Sequence, residues 1–139
     1  MKVVAVAVAF AFYASAQKQP FTVETLMRVV RISEPQLSPD GSKIVFTAER
    51  PDVEKNTRPK QIYTAPVAGG LPVQITTEGT NQRPRWTPDS RRIVFTSNRT
   101  GTSQVWSMNA DGTDPKQITY LANGASGVIV SADGKRILF

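Results

Sequence analysis

Three apolar runs, Ile44-Val45-Phe46, Ile93-Val94-Phe95 and Ile137-Leu138-Phe139, stand out from a chain that otherwise mixes polar and apolar positions. None alternates, so each predicts a strand buried on both faces. A polar turn precedes each run: LSPDGSKIVF at 37–46, WTPDSRRIVF at 86–95 and VSADGKRILF at 130–139. Proline fixes φ, aspartate bonds nearby backbone and glycine accepts a positive φ, so each phrase reads as strand, tight turn, strand. The turn residues are Asp40 and Gly41, Asp89 and Ser90, and Asp133 and Gly134.

The three aspartates lie 49 and 44 residues apart, a period that suits one four-stranded propeller blade per repeat. The likeness extends past the turns. Ile62-Tyr63 answers to Val105-Trp106, Gly69-Gly70 to Asp111-Gly112, and Gln74-Ile75-Thr76 to Gln117-Ile118-Thr119. Most of the difference in period falls between the second and third strands. The first unit carries ERPDVEKNTRPK there (49–60), the second only the turn Asn98-Arg99-Thr100-Gly101.

First strands are predicted at 36–38 and 85–87, third strands around Ile62-Tyr63 and Val105-Trp106, and fourth strands at 73–76 and 116–119. Trp86, Trp106 and Tyr63 are expected to pack between blades. Burial of both sheet faces is what stacked blades require, whereas a two-layer sandwich shows cleaner alternation.

The expected fold is therefore all-β: a partial β-propeller of two complete four-stranded blades plus the first half of a third. Its bounds are 34–139, with blade 1 at about 34–78, blade 2 at about 83–121 and the half blade at about 127–139. Propellers close with at least four blades, and an unclosed stack leaves an apolar face bare. Phe139 falls in mid-blade, so the chain is expected to be the N-terminal part of a longer protein.

Ahead of the blades, Met1-Lys2 and the apolar run 3–13 lead to Ala14-Ser15-Ala16. A positive start, a short apolar core and an A-x-A site predict a signal peptide over 1–16, cleaved after Ala16. The product is expected in the periplasm or outside the cell, with no stable membrane anchor. Residues 17–33 form a lead-in. There Thr22 can cap a helix, Glu24 suits its first turn, and Val23, Leu26, Met27 and Val30 share one face. That helix is expected to pack under the propeller.

Composition then removes whole classes of chemistry. The chain has no histidine and no cysteine, so it holds neither a Ser-His-Asp or Cys-His arrangement nor thiolate or imidazole metal ligands. Net charge is +6, but Lys and Arg are spread along the chain. The densest group, Arg83, Arg85, Arg91 and Arg92, flanks a strand and a turn, which predicts a solvated rim and no nucleic-acid partner. Asn98-Arg99-Thr100 matches a glycosylation acceptor and reads as a polar turn. Gly124-Ala125-Ser126-Gly127 has the wrong spacing for a nucleophile elbow and reads as a turn into the third blade. No catalytic, cofactor-binding or metal-binding residue is expected within the chain, and no cofactor.

The segment FTVETLMRVVRISEPQLSPDGSKIVFTAERPDVEKN (21–56) resembles the opening of exported peptidases of the prolyl oligopeptidase family. The likeness is to the branch of acylaminoacyl-peptidases and dipeptidyl-peptidases, and it extends over 21–139. It implies a propeller that caps a C-terminal α/β-hydrolase domain, whose serine sits in a G-x-S-x-G elbow followed by Asp and His. None of those motifs occurs here, so the expected partner is a hydrolase domain further along the same polypeptide. Peptides are then the expected substrates, admitted through the propeller.

Two other readings stay open. One is a non-enzymatic exported propeller similar to TolB, whose repeats resemble Asn109-Ala110-Asp111-Gly112-Thr113-Asp114 followed by Gln117-Ile118-Thr119. The other is a sugar-acting or lactonase-like propeller with its site in the central channel. That would need converging carboxylates, metal ligands or histidines, whereas Asp40, Asp89 and Asp133 sit in turns.

Overall fold

A computed structural model describes residues 21–139. The predicted signal peptide and its cleavage site at Ala16 lie outside the described residues. Strands β1 (Arg31–Leu37), β2 (Lys43–Glu49), β3 (Lys60–Pro66) and β4 (Val73–Gln74) form one antiparallel sheet in chain order. Strands β5 (Asn81–Trp86), β6 (Arg92–Ser97), β7 (Gln104–Asn109) and β8 (Lys116–Gln117) form a second sheet of the same design. Strands β9 (Ile129–Val130) and β10 (Ile137–Leu138) make the opening hairpin of a third. Two blades and half of another stand where the repeats put them.

Side-chain alternation explains the stacking. On β2 and β3, Val45 and Ile62 face blade 2, where they meet Trp86, Ile93, Phe95, Trp106 and Met108 in one buried cluster. Val94 and Val105, on the other face of blade 2, pack with Ala125 and Val128, against which Val130 and Ile137 also rest. The apolar run of blade 2 is thus shared between two interfaces. Arg99 closes the outer end of the first cluster, its guanidinium 4.6 Å from the Trp106 ring and 5.5 Å from that of Phe95.

Among the described residues the matching face of blade 1 has no such neighbour. Leu37 there is 60% exposed, whereas Trp86, at the same position of blade 2, is 8% exposed. Tyr63 does not pack between blades as expected; it is half-buried and stacks on Phe46, ring centroids 5.8 Å apart. At the far end Ile129 and Leu138 are exposed on the onward face of the third hairpin.

Three further expectations need correction. First strands begin five and four residues earlier than predicted, at Arg31 and Asn81, so blade 1 takes in the end of the lead-in. Fourth strands end sooner, at Gln74 and Gln117, because Thr76 and Thr119 turn their side chains to another task described below. The helix, α1 (Val23–Met27), is capped as predicted, the Thr22 hydroxyl accepting from the Thr25 N–H at 3.2 Å, yet it buries no residue. Its apolar face does not pack under the propeller. Instead Val23 and Met27 overhang an open cleft of about 1230 Å³ against blade 1, bordered by Tyr63 and Gln74.

The long 49–60 loop folds back on itself. Asp52 and Thr57 exchange backbone hydrogen bonds of 2.8 and 3.1 Å, and Arg58 and Arg31 both reach the Glu49 carboxylate at its base. Among the described residues no helix is long and apolar enough to cross a membrane.

Candidate functional site along the inner edge

The hairpin turns fold by local chemistry. In blade 1 the Ser38 hydroxyl donates to Asp40 Oδ1 at 2.6 Å, and the same oxygen accepts from the Ser42 N–H and hydroxyl at 2.9 and 2.8 Å. Blade 2 repeats this with Thr87, Asp89 and the Arg91 N–H, and blade 3 with Ser131, Asp133 and the Lys135 N–H. The Ser/Thr hydroxyl also accepts from the N–H that opens the second strand, at Lys43, Arg92 and Arg136. In each turn the aspartate Oδ1 is engaged by its own hairpin.

Gly41, Ser90 and Gly134 share a left-handed position, with φ of 73°, 59° and 69°. Serine at the middle one has a partner: its hydroxyl accepts from the Asp40 N–H at 3.1 Å, tying the second turn to the first. A Cβ on Gly134 would stand 3.3 Å from Pro88 Cδ, so the third turn leans on the second. The three turns form one continuous row.

Hydrogen bonds to the ionised form hold these carboxyls below their ordinary range. Asp40 falls to about 2, chiefly through the Ser38 hydroxyl and then the Ser42 N–H. Asp89 and Asp133 are lowered for the same reason, led by Thr87 and Ser131. Because the folded value is depressed, this contribution to stability is fully present above the unfolded carboxylate range, near pH 4, and fades as pH falls through about 2. A Ser38→Ala variant is expected to move the Asp40 midpoint back up toward the ordinary aspartate value. Carboxyl chemical shifts followed from pH 1 to 6 would read it; an unmoved midpoint would show that Ser38 is not the principal cause.

A second repeated arrangement went unread in the sequence. Gln104, on the first position of β7, accepts from the Thr119 hydroxyl at 2.7 Å and the Leu121 N–H at 3.1 Å, and donates to the Leu121 carbonyl at 2.7 Å. Thr119 in turn accepts from the Val105 N–H at 2.9 Å. In blade 1 Gln61 and Thr76 do the same for the Ile62 N–H and the Gly79 carbonyl, with Asn81 as a further donor. The signal was in plain view: Gln precedes Ile62-Tyr63 and Val105-Trp106, and Thr closes both Gln-Ile-Thr triplets.

The first strands carry the third arrangement. Between Ser33 and Gln36, β1 advances three residues while β2 advances two, and β5 does the same between Gln82 and Arg85. Each is a bulge of one residue. The left-handed residue is Glu34 in blade 1 (φ 54°), Arg83 in blade 2 (φ 57°) and Gly127 at the matching place before β9 (φ 81°). Glycine is the residue that tolerates this conformation, and the two others hold it at roughly 1–3 kcal/mol each.

A contact across the blades accompanies the strain. Glu34 Oε2 accepts from the Arg83 N–H at 3.0 Å, and Arg83 Nε lies 3.8 Å from Oε1. First strands meet one another from blade to blade, β1 against β5 and β5 against β9, as strands nearest a propeller axis do. In a closed propeller this inner edge would face the central axis.

Of the basic group read as a solvated rim, Arg92 is committed internally, donating to Ser107 Oγ, Asn109 Oδ1 and Asp114, while Arg85 donates to the Pro84 carbonyl. Among the described residues no three Asp or Glu side chains converge to hold a metal ion.

Comparison with known proteins fits this geometry. The family described as the TolB beta propeller domain matches residues 22–139. Dipeptidyl-peptidase 5 of Porphyromonas gingivalis is 40% identical over 119 residues, 85% of this chain and 17% of that protein. The chain spans less than a fifth of the length of the first curated relatives it matches. The solved TolB protein of Agrobacterium tumefaciens shares 29% identity, with a TM-score of 0.64 over 76% of this chain and 37% of that one. The acylaminoacyl peptidase of Pyrococcus horikoshii superposes with a TM-score of 0.66 at 18% identity, over 81% of this chain and 17% of that one, a likeness of fold alone.

Proposed function

Starting from the fact that this chain belongs to the TolB beta propeller domain family, we propose that it supplies the first blades of an exported serine peptidase. The observation that carries the reading is the identity to a dipeptidyl-peptidase through most of the chain. With no histidine to activate a serine, peptide-bond hydrolysis would be the work of an α/β-hydrolase domain elsewhere in the polypeptide. The blades would restrict that domain to peptides slender enough for the central channel. Their turns and Gln–Thr relays tie the strands of each blade to one another.

A chimera tests this. Residues 21–139 replace the matching segment of the Porphyromonas gingivalis enzyme, and hydrolysis of a chromogenic dipeptide substrate is measured beside that of a folded protein. The dipeptide is expected to be cleaved and the folded protein spared. A chimera that melts cooperatively yet cleaves neither, or cleaves both, would sink the proposal. The export step has its own readout: N-terminal sequencing of the secreted product is expected to begin at Gln17.

A second reading has specific support in the family description and the Agrobacterium TolB structure, whose identity to this chain exceeds that of the peptidase structure. Under it the blades bind an envelope protein and no hydrolase domain is involved. A folded but inactive chimera would favour it.

A further inference from the structure

The bulge row along the inner edge of the blades holds a cation whose hydrogen-bonding capacity is unspent. Among the described residues the Arg83 guanidinium donates no hydrogen bond, and its one ionic contact is the 3.8 Å approach of Nε to Glu34. The Glu34 carboxylate is occupied instead by the Arg83 backbone N–H, at 3.0 Å. Glutamate therefore fixes the strand that carries the arginine without quenching its outer nitrogens.

Space for the guanidinium is kept open on the other side. A Cβ on Gly127 would stand 3.1 Å from Arg83 Nη1, so any larger residue in the third blade would press on the side chain. The arginine itself sits at φ 57°, a conformation it would leave if the neighbouring blades did not hold it. Its side chain remains 46% exposed. A pinned backbone, a cleared space and free donors in a planar fork are the conditions for bidentate capture of a carboxylate.

We propose that Arg83 is a carboxylate-binding point on the inner edge of the blades, engaging the C-terminal carboxylate of a peptide in transit. The assignment of a peptide as ligand rests on the peptidase reading above; the carboxylate chemistry does not. Glu34 acts as the positioning residue, and it also repels the ligand's charge, which keeps the hold weak enough for release.

The test uses the 139-residue chain and two probes, acetyl-Ala-Ala-Ala with a free carboxylate and the same peptide as its C-terminal amide. Binding is followed by the Nε–Hε resonance of Arg83. The free acid is expected to bind about tenfold tighter than the amide, as loss of a charge-assisted bidentate contact implies. Arg83→Asn, which keeps a residue tolerant of the left-handed conformation, is expected to erase the difference. Glu34→Gln retains an acceptor for the Arg83 N–H but removes the competing charge, so it is expected to tighten the acid and leave the amide unchanged. Equal binding of the two peptides, or a preference that survives Arg83→Asn, would overturn the proposal. An active chimera with no carboxylate preference would sink this inference alone, and a preference with an inactive chimera would sink only the peptidase.

Discussion

Truncating Phe95 to alanine is expected to lower the free energy of unfolding by about 3–5 kcal/mol, the usual cost of emptying a fully buried phenylalanine site. Phe95 has no exposed surface and lies between Val45 and Ile62 of blade 1 and the Trp106 and Met108 side chains of its own sheet. An isoleucine pair isolates the part of that cost due to blade stacking. Ile93 is fully buried against blade 1, while Ile44, at the same place in blade 1, is only half-buried on the open face. Ile93→Ala should cost about 2–5 kcal/mol and Ile44→Ala distinctly less. Urea unfolding of the three variants would measure this. Equal losses at 44 and 93 would mean that both sites are covered alike, contrary to the stack.

Gln104→Leu is the second large effect, at about 2–4 kcal/mol. Leucine fills the space, so no cavity forms, but the Leu121 N–H, the Leu121 carbonyl and the Thr119 hydroxyl lose their partner in one step. A buried polar group left unpaired costs more than the bond itself is worth. Thr119→Val should also destabilise, since the Val105 N–H then has no acceptor. The double variant should cost less than the two losses combined, because each removes the other's partner. Gln61→Leu, at a more exposed copy of the relay, should cost less than Gln104→Leu. Additive losses at Gln104 and Thr119 would show that the two side chains act independently.

Both effects belong to a design that was partly visible in the sequence. The hairpins were legible because turn chemistry is local: an aspartate followed by glycine or serine, with proline ahead of it in two of the three copies, specifies a turn whatever surrounds it. The stacking was legible because three consecutive apolar residues need two covered faces. The likeness of 21–56 to prolyl oligopeptidase-type peptidases holds against the curated relatives.

What escaped notice depends on tertiary partners. The first halves of β1 and β5 read Arg31-Ile32-Ser33-Glu34-Pro35 and Asn81-Gln82-Arg83-Pro84, polar segments with proline that local preference places in loops. They are strands because a bulge absorbs the irregularity and the second strand of each blade pairs with them on both sides of it. The helix face at Val23, Leu26 and Met27 was legible as a pattern, but its spacing could not say whether anything covers it. Gln104 and Thr119 looked like ordinary strand residues until the fold brought them together. In the sequence Arg83 is one charge among four; its distinction is a backbone angle, which composition does not carry.

The central claim is that the sheets succeed one another around an axis in chain order, and thiol cross-linking tests it most directly. The chain has no native cysteine, so cysteine pairs at 40 and 90, 88 and 134, and 40 and 134 can be compared without background. The row of turns predicts rapid intramolecular cross-linking by a short bifunctional reagent for the first two pairs, which join adjacent blades. The third pair, separated by the whole of blade 2, should stay unlinked in the monomer. Efficient linkage of 40 to 134, with the adjacent pairs slow, would contradict the wheel and favour a sheet closed upon itself.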